Sequence, residues 1–184
     1  MALPSTIYRV TIQLSDVDRC IYETLQTTLA RHPSETAERL VLRLLAYAVC
    51  YGPDLSFTKG VGAGDEPDLW AKGGDGRVTH WIEVGTPEPE RLIKAARHAG
   101  RVVLLASAPN RHRWDEQHLA KLAGVPNLTA IGLDFPFVRQ LAEGLERTIS
   151  WGVTISGGSI YVTAVGTSFD APLELLAGPA FSEG

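Results

Sequence analysis

Two acidic residues stand where a short β-hairpin would bring them together. Asp68 begins the segment DLWAK (68–72), and Glu83 lies near the end of VTHWIEV (78–84). The glycine-rich stretch GGDG between the two segments predicts a hairpin turn. A four-residue loop sets Asp68 opposite Trp81, and a loop two residues longer on the return side sets Asp68 opposite Glu83. In either register the two carboxylates are near neighbours, about 5 Å apart at Cβ if they are directly opposed.

Two carboxylates at that distance repel each other unless their charge is offset. A shared proton, a basic partner or a divalent cation could offset it. Mg²⁺ keeps most of its waters and accepts one or two carboxylates together with the phosphate oxygens of a substrate. The pair therefore predicts that Asp68 and Glu83 hold Mg²⁺ or Mn²⁺. The alternative is that both residues face solvent at strand ends and pair with Lys72 or Arg77.

The segments on either side of the hairpin predict an α/β arrangement. A helix is predicted at 34–50, with Ser34 as its N-cap and an apolar stripe at helical spacing. A short strand at 55–58 precedes the hairpin, and a second helix at 88–98 is opened by prolines and closed by a glycine. The run RVVLLAS (101–107) is typical of a buried parallel strand. The order helix, three strands, helix, strand predicts an α/β core with a mixed central sheet and flanking helices.

The two ends of the chain add further strands to this core. Residues 5–14 alternate in the manner of a half-buried strand, and residues 20–30 predict either its partner or a short helix. The segment 148–165 predicts a closing hairpin. These terminal strands must pair with each other or extend the central sheet. Before the closing hairpin the pattern predicts a helix, a strand and a helix, at 113–122, 128–133 and 136–146.

Length and composition indicate an ordinary globular protein. The chain has 184 residues, of which 45% are hydrophobic and 21% charged, so we expect one domain spanning 1–184. No apolar run approaches the roughly 18 residues needed to span a membrane, and the N-terminus lacks the pattern of a secretory signal. Cys20 and Cys50 have no metal-ligand spacing and are expected to be reduced thiols. We therefore expect a cytoplasmic protein without a membrane partner.

Charge is unevenly distributed along the middle of the chain. Residues 65–90 contain seven acidic and two basic residues, whereas residues 91–121 contain seven basic and two acidic residues. The formal net charge of −4 argues against a protein that coats nucleic acid non-specifically. An acidic patch beside a basic one could hold a metal next to a polyanion, or both could be ordinary solvated faces.

Three motifs in a fixed order carry a resemblance to a known family. They are RHPSETAERLVLRLLAY (31–47), GDEPDLW (64–70) and HWIEVGTPEPERLIKAARHA (80–99). Over most of its length the chain resembles the YaeQ family of bacterial proteins. The resemblance implies a core like that of the PD-(D/E)xK nucleases, such as restriction endonucleases, with the element order αβββαβ plus additional terminal strands. It implies no settled biochemical function.

The nuclease pattern that this resemblance implies is only partly present. The pattern requires Pro-Asp on one strand, and then Asp or Glu, any residue and Lys on the next strand. This chain has Pro67-Asp68 and then Glu83-Val84-Gly85. Gly85 therefore stands in the place of the lysine, which in such enzymes is thought to help position or activate the attacking water.

Two further residues are assigned by the resemblance. Lys94, in the helix after the strand, could replace the missing lysine, or it could be a surface lysine paired with Glu90 at i, i+4. An additional acid often comes from the first helix of such nucleases. Glu38 is the candidate for this acid, and Glu35 is the alternative.

Two functional hypotheses follow. The first is a Mg²⁺-dependent phosphodiesterase, nuclease-like, that acts on nucleic acid. The second is a catalytically inactive module with the nuclease-like fold that binds nucleic acid or a protein partner, which Gly85 and the acidic net charge favour. The residues assigned to the first hypothesis are Asp68, Glu83 and the Val84 carbonyl for the metal, Lys94 and Glu38 for catalysis, and Arg91, Arg97 and His98 for phosphate contacts.

Overall fold

Eleven strands and four helices make up the part of the chain that this computed structural model describes, residues 3–59 and 64–180. In chain order the elements are β1 (Thr6–Asp16), β2 (Ile21–Arg31), α1 (Ala37–Val49), β3 (Ser56–Phe57), β4 (Leu69–Lys72), β5 (Val78–Val84), α2 (Pro89–Ala96), β6 (Arg101–Ala106), α3 (Arg111–Leu122), β7 (Leu128–Gly132), α4 (Phe135–Glu143), β8 (Thr148–Ser156), β9 (Ser159–Ala164), β10 (Thr167–Pro172) and β11 (Glu174–Ala177). None of these helices is long and apolar enough to cross a membrane.

A six-stranded mixed sheet carries the predicted hairpin. Its strand order is β11-β7-β6-β5-β4-β3, in which β5, β6 and β7 are parallel and the other neighbours are antiparallel. The parallel strands are joined by α2 and α3, the crossover helices that parallel pairing requires. The predicted mixed α/β fold is therefore confirmed, and so is the order helix, three strands, helix, strand from α1 to β6.

The terminal strands form a second sheet of their own. Its order is β10-β9-β8-β1-β2, and β1 pairs with β8 in parallel. Residues 20–30 are thus a strand and not a helix, because β2 runs antiparallel to β1 along its whole length. Neither β10 nor β11 was predicted, since both are short and largely exposed and so lack a clear alternation.

Apolar residues pack on both faces of the six-stranded sheet. One face shares a core with α1, α4 and the inner face of the second sheet, and the other face packs against α2 and α3. Because side chains alternate along a strand, Ile82 and Val84 point into the first core, whereas Trp81 packs against the second. Glu83 therefore lies on the same side of β5 as Trp81. Cys20 and Cys50 are both free thiols, as predicted.

The first helix starts later than predicted. Its N-cap is Thr36, whose side chain accepts a hydrogen bond from the Arg39 amide at 3.2 Å. The prediction of Ser34 as N-cap is wrong because residues 32–35 form a turn, in which the Glu35 amide donates to the His32 carbonyl at 2.9 Å. The Ser34 hydroxyl instead lies 2.7 Å from Nδ1 of His32.

A buried ion pair ties α1 to β2. Arg43 is only 1% exposed, and its Nη1 atom lies 3.2 Å from both carboxylate oxygens of Glu35. The same nitrogen donates to the carbonyl of Ala30 in β2 at 3.2 Å. Because Arg43 is buried, it depends on Glu35 to compensate its charge.

Glu35→Ala should lower the free energy of unfolding by about 3–5 kcal/mol, because it leaves Arg43 buried without its counter-charge. Urea denaturation followed by circular dichroism measures the change. Asp75→Ala is the control, since its partner Arg77 has a side chain that is 88% exposed, and this exposed pair should contribute less than about 1 kcal/mol. Equal losses in the two variants would contradict a structural role for the buried pair.

Candidate functional site

Asp68 and Glu83 are neighbours across the hairpin. The paired part of the hairpin begins at Leu69 and Ile82, the residues next to Asp68 and Glu83 in the sequence, and the charge of Asp68 is close enough to act on the ionisation of Glu83. The Asp68 amide also donates to the Ile82 carbonyl at 3.0 Å. The pairs from Leu69 to Ala71 follow the second of the two predicted registers, and an irregularity between Ala71 and Lys72 accommodates the longer return strand.

Neither carboxylate faces solvent. Asp68 is 5% exposed and Glu83 is 4% exposed, so the interpretation of both as solvated strand-end residues is wrong. The two bases suggested as their partners are engaged elsewhere. Lys72 lies 3.8 Å above the ring of Trp70, and Arg77 pairs with Asp75 in the exposed turn at 3.4 Å.

Asp68 connects the hairpin to the first helix. Its Oδ2 atom accepts a hydrogen bond from the Val84 amide at 2.9 Å, and its Oδ1 atom forms an ion pair with Nη2 of Arg39. Arg39 also pairs with Glu35 through Nη1 at 3.0 Å. Arg39 therefore bridges two buried carboxylates that belong to different parts of the chain.

Glu83 has an arginine of its own. Nε of Arg91 lies 2.8 and 2.9 Å from the two carboxylate oxygens, and the indole nitrogen of Trp81 donates to Oε1 at 2.8 Å. Arg91 also donates to the carbonyls of Gly64 and Glu66, at 2.7 and 2.6 Å. Arg91 thus holds the segment before β4 against β5, which is a structural contact that the predicted phosphate role does not include.

Burial is the main influence on the ionisation of Glu83. It raises the pKa of this carboxyl above its ordinary value, and the nearby charge of Asp68 acts in the same direction. Hydrogen bonds from Trp81 and Arg91, and the charge of Arg91, lower the pKa but do not cancel the effect of burial. Arg91 therefore offsets part of the effect of burial on the pKa of Glu83, and this pKa stays above its ordinary value.

The buried charges balance without a cation. Three carboxylates (Glu35, Asp68 and Glu83) face three guanidiniums (Arg39, Arg43 and Arg91) through the contacts described above. Within residues 3–59 and 64–180, no group of three or more His, Cys, Asp or Glu side chains could hold a metal ion. Of the three ways to offset the charge of the two carboxylates, the described residues show the basic partner: Arg39 pairs with Asp68, and Arg91 pairs with Glu83.

Sequence reasoning missed Arg39 and Arg43. A usable signal was present, because Glu35, Arg39 and Arg43 follow one another at intervals of four residues, the spacing of neighbours on one helix face. The alternative acid, Glu35, lies in the turn before α1 and is connected to Asp68 through Arg39. Glu38 is half-buried, and its carboxylate has no hydrogen-bond or ion-pair partner among the described residues.

Gly85 has a backbone conformation that explains the missing lysine. Its φ angle is +93°, a value that residues with a side chain rarely adopt. A Cβ atom at this position would meet nothing within 4 Å, so the obstacle is backbone strain and not space. A lysine at position 85 would therefore cost conformational energy, which a glycine avoids.

A small pocket lies beside α2 and includes the two residues that contact Glu83, Trp81 and Arg91. It has a volume of about 220 Å³ and is lined by Asp65, Trp81, Arg91, Lys94, Ala95 and His98. Lys94 and His98 are exposed, as is Arg97 at the C-cap of α2. Their side chains have no hydrogen-bond or ion-pair partner in the described part of the chain. The alternative pairing of Lys94 with Glu90 is wrong, because Glu90 pairs with Lys121 at 3.2 Å.

Replacing Gly85 tests the strain directly. We expect both Gly85→Ala and Gly85→Lys to lose about 1–3 kcal/mol of unfolding free energy, since an L-residue is forced into a rarely populated backbone region. Gly144→Ala is the matched control, because this glycine has φ −93° and a Cβ there would meet nothing within 4 Å. Thermal denaturation measures all three variants, and a Gly85→Ala protein as stable as Gly144→Ala would refute the strain.

The ionisation of Glu83 can be measured directly. A carbon-13 NMR titration should give a pKa above the ordinary value of about 4.3, and Arg91→Met should raise it further by removing a hydrogen bond and a positive charge. Because the native state then binds the proton more tightly than the unfolded chain does, ionising Glu83 costs stability as the pH rises from the ordinary value through the native pKa.

Lys94→Met is the control for this titration, because it removes a positive charge from the same helix without touching Glu83. It should leave the pKa of Glu83 nearly unchanged. A pKa in Arg91→Met at or below that of the wild type would be inconsistent with the ion pair.

Comparison with known proteins agrees with the resemblance in the motifs. The model of the family described as YaeQ protein matches residues 1–172. The protein named Uncharacterized protein YaeQ of Salmonella typhi is 39% identical over 164 residues, which cover 89% of this chain and 91% of that protein. Its namesake in Escherichia coli (strain K12) is 36% identical over the same coverage.

Two crystal structures share the fold. The YaeQ protein from Pseudomonas syringae has a TM-score of 0.91 and 40% identity, with 97% of this chain and 99% of that chain covered. The YaeQ protein from Xanthomonas axonopodis pv. citri also has a TM-score of 0.91, at 32% identity, with 95% and 99% covered. By sequence and by fold, the chain belongs to the YaeQ family.

Proposed function

We propose that this protein binds nucleic acid through phosphate contacts at the exposed side of α2, without a divalent cation and without cleavage. This is the second of the two hypotheses drawn from the sequence. The observation that carries it is that Asp68 and Glu83 are each neutralised by an arginine, whereas Lys94, Arg97 and His98 have no acidic partner among the described residues. The predicted cytoplasmic location is part of this proposal.

The contacts of the carboxylates argue against a resident Mg²⁺. This ion demands near-octahedral oxygen ligands at about 2.0–2.1 Å. Each oxygen of Asp68 and Glu83 already accepts a hydrogen bond, and two of the donors are guanidiniums. A cation at this point would repel Arg39 and Arg91, and displacing Arg39 would also remove a partner of buried Glu35. The described arrangement therefore does not fit the ion.

The unpaired bases suit a polyanion. Lysine and arginine neutralise phosphates and release condensed counterions, which makes binding favourable and dependent on salt. The three bases lie within five consecutive residues at the end of α2: Lys94, Arg97 and His98. One stretch of a nucleic-acid backbone could therefore contact all three. Because the net charge of the chain is −4, the protein as a whole does not attract a polyanion. Binding then depends on the local group of bases, which limits non-specific coating.

The Mg²⁺-dependent phosphodiesterase is the second candidate. Two observations favour it: the charge of Asp68 is close enough to act on Glu83, and the pocket that contains Lys94 also contains Arg91. The nuclease-like core implied by the motifs belongs to this candidate as well. It requires Arg39 and Arg91 to leave their carboxylates, so metal binding is the property that separates the two candidates.

Charge reversal tests the phosphate contacts. Lys94→Glu/Arg97→Glu should weaken binding to a single-stranded oligonucleotide about 20-fold at about 0.1 M salt. The plot of log K against log salt has a negative slope, and its magnitude should fall by about 1.4 because two phosphate contacts are lost. Fluorescence anisotropy over a salt series measures both quantities. Arg139→Glu/Arg147→Glu is the control, since Arg139 is exposed on α4 and Arg147 is exposed in the loop before β8. Equal losses in the two double variants would remove α2 from the proposed interface.

Isothermal titration with Mg²⁺ and Mn²⁺ separates the two candidates. We expect no saturable binding below about millimolar concentration, either in the wild type or in Asp68→Ala/Glu83→Ala, because arginines compensate the carboxylates. Tighter binding that disappears in the double variant, together with cleavage of an oligonucleotide, would establish the phosphodiesterase instead.

A further inference from the structure

The pocket beside α2 has features that phosphate contacts alone leave unused. Its lining combines an aromatic ring, Trp81, with a carboxylate, Asp65, and the bases Lys94 and His98. A backbone phosphate needs neither a ring nor a carboxylate, and a carboxylate would repel it. The volume of about 220 Å³ is below the usual range of drug-sized ligand sites and suits a single nucleobase.

Trp81 offers a fixed aromatic surface. Its indole nitrogen donates to buried Glu83 at 2.8 Å, and the guanidinium carbon of Arg91 lies 6.0 Å from the ring centroid. These contacts hold the ring in one orientation, so little conformational entropy remains to be lost when a ligand stacks on it. Stacking of a base on an aromatic side chain is a principal source of affinity for unpaired nucleotides.

Asp65 supplies an acceptor at the same pocket. Its carboxylate is exposed and forms no hydrogen bond or ion pair with the described residues. An ionised carboxylate has two oxygens that only accept, so it matches an edge that presents two adjacent N–H donors. Among the common bases only guanine has such an edge, formed by N1–H and the N2 amino group. Adenine and cytosine present one amino group beside an acceptor nitrogen, and thymine and uracil present one N–H between two carbonyls.

The basic side of the pocket fits the rest of the same ligand. Lys94 and His98 can donate hydrogen bonds to O6 and N7 of guanine or to the phosphate of its nucleotide. A base in a duplex cannot reach such a pocket with its Watson–Crick edge free, whereas an unpaired or flipped base can.

We propose that the pocket binds the unpaired base of a guanine nucleotide, which stacks on Trp81 and is recognised through its Watson–Crick edge by Asp65. The proposal rests on the proposed function for the phosphate contacts of Lys94. The nucleotide is either free or part of a single strand, since the chemistry recognised is the same.

The test compares oligonucleotides that differ only at one position. A short oligothymidylate carries a central guanine, adenine, cytosine, thymine or abasic site, and anisotropy measures its affinity for the wild-type protein. The guanine strand should bind roughly tenfold more tightly than the abasic strand, and more tightly than the other three. Guanosine and adenosine monophosphates are titrated in parallel. Guanine preference among the monophosphates shows that a free nucleotide suffices, and preference among the strands alone shows that flanking phosphates are needed.

Asp65→Asn isolates the recognition of the base. The variant replaces one acceptor oxygen by an NH₂ donor at an exposed position, so it should fold normally and lose the preference for guanine over adenine. Asp170→Asn, at an exposed position of the second sheet, is the control for the same change of charge and should keep the preference. A guanine preference that survives in Asp65→Asn would overturn the assignment of Asp65.

Failure of this inference can be told from failure of the proposed function. Equal binding of the guanine and abasic strands, still sensitive to Lys94→Glu/Arg97→Glu, overturns the base pocket and leaves the phosphate contacts standing. Absence of binding to every strand overturns the proposed nucleic-acid function. In that case, binding of guanosine monophosphate in preference to adenosine monophosphate would keep the pocket as a nucleotide site.

Discussion

The ion pair between Arg39 and Asp68 is the contact on which the candidate site depends. It joins the first turn of α1 to the start of β4, two segments far apart in the sequence. The other oxygen of Asp68 accepts the amide of Val84, so the same carboxylate also fixes the end of β5. Through Glu35 and Arg43, the charges continue into the core and to β2.

A series of buried charges of this kind is stable only when it is complete. Removing a charged group from water is costly, and its partner recovers the cost only while both remain in place. Arg39 links Glu35 to Asp68 and is partly accessible, since 32% of its side-chain surface is exposed. It is therefore the group through which a ligand at the surface could disturb the buried charges, and a cation that displaced it would leave two carboxylates to compensate.

Much of the fold and the position of the site were predictable from local patterns. Alternation and turn residues identified the hairpin that carries Asp68 and Glu83, and the apolar run at 101–107 identified the central parallel strand. The hairpin fixed the neighbourhood of the two carboxylates because register follows from the turn and the alternation of side chains. Strands β10 and β11 were not predicted, because short exposed segments show little alternation of apolar and polar residues.

The compensation of the carboxylates was not predictable in the same way. The choice between a cation, a proton and a basic partner depends on which side chains tertiary packing brings to the hairpin. Arg39 reaches Asp68 from a helix 29 residues away in the sequence, and Arg91 reaches Glu83 from the following helix. Helical spacing among Glu35, Arg39 and Arg43 indicated that these residues share a face. It did not indicate that the face meets the hairpin.

The reason for Gly85 in place of the motif lysine was also not predictable from the sequence. In the sequence, the missing lysine suggested that another residue, Lys94, takes over its catalytic role or that catalysis is lost. The backbone angle of +93° shows a constraint of conformation, since the chain turns here as β5 ends. The backbone angle therefore explains why a lysine is disfavoured at position 85 without reference to catalysis.

The central claim is that arginines, and not a metal ion, compensate Asp68 and Glu83. The most direct test is a crystal of this protein soaked in Mn²⁺ and measured by anomalous diffraction. We predict no anomalous peak within bonding distance of the two carboxylates, with the guanidiniums of Arg39 and Arg91 still paired to them. An anomalous peak bound by both carboxylates, with Arg39 displaced, would contradict the claim.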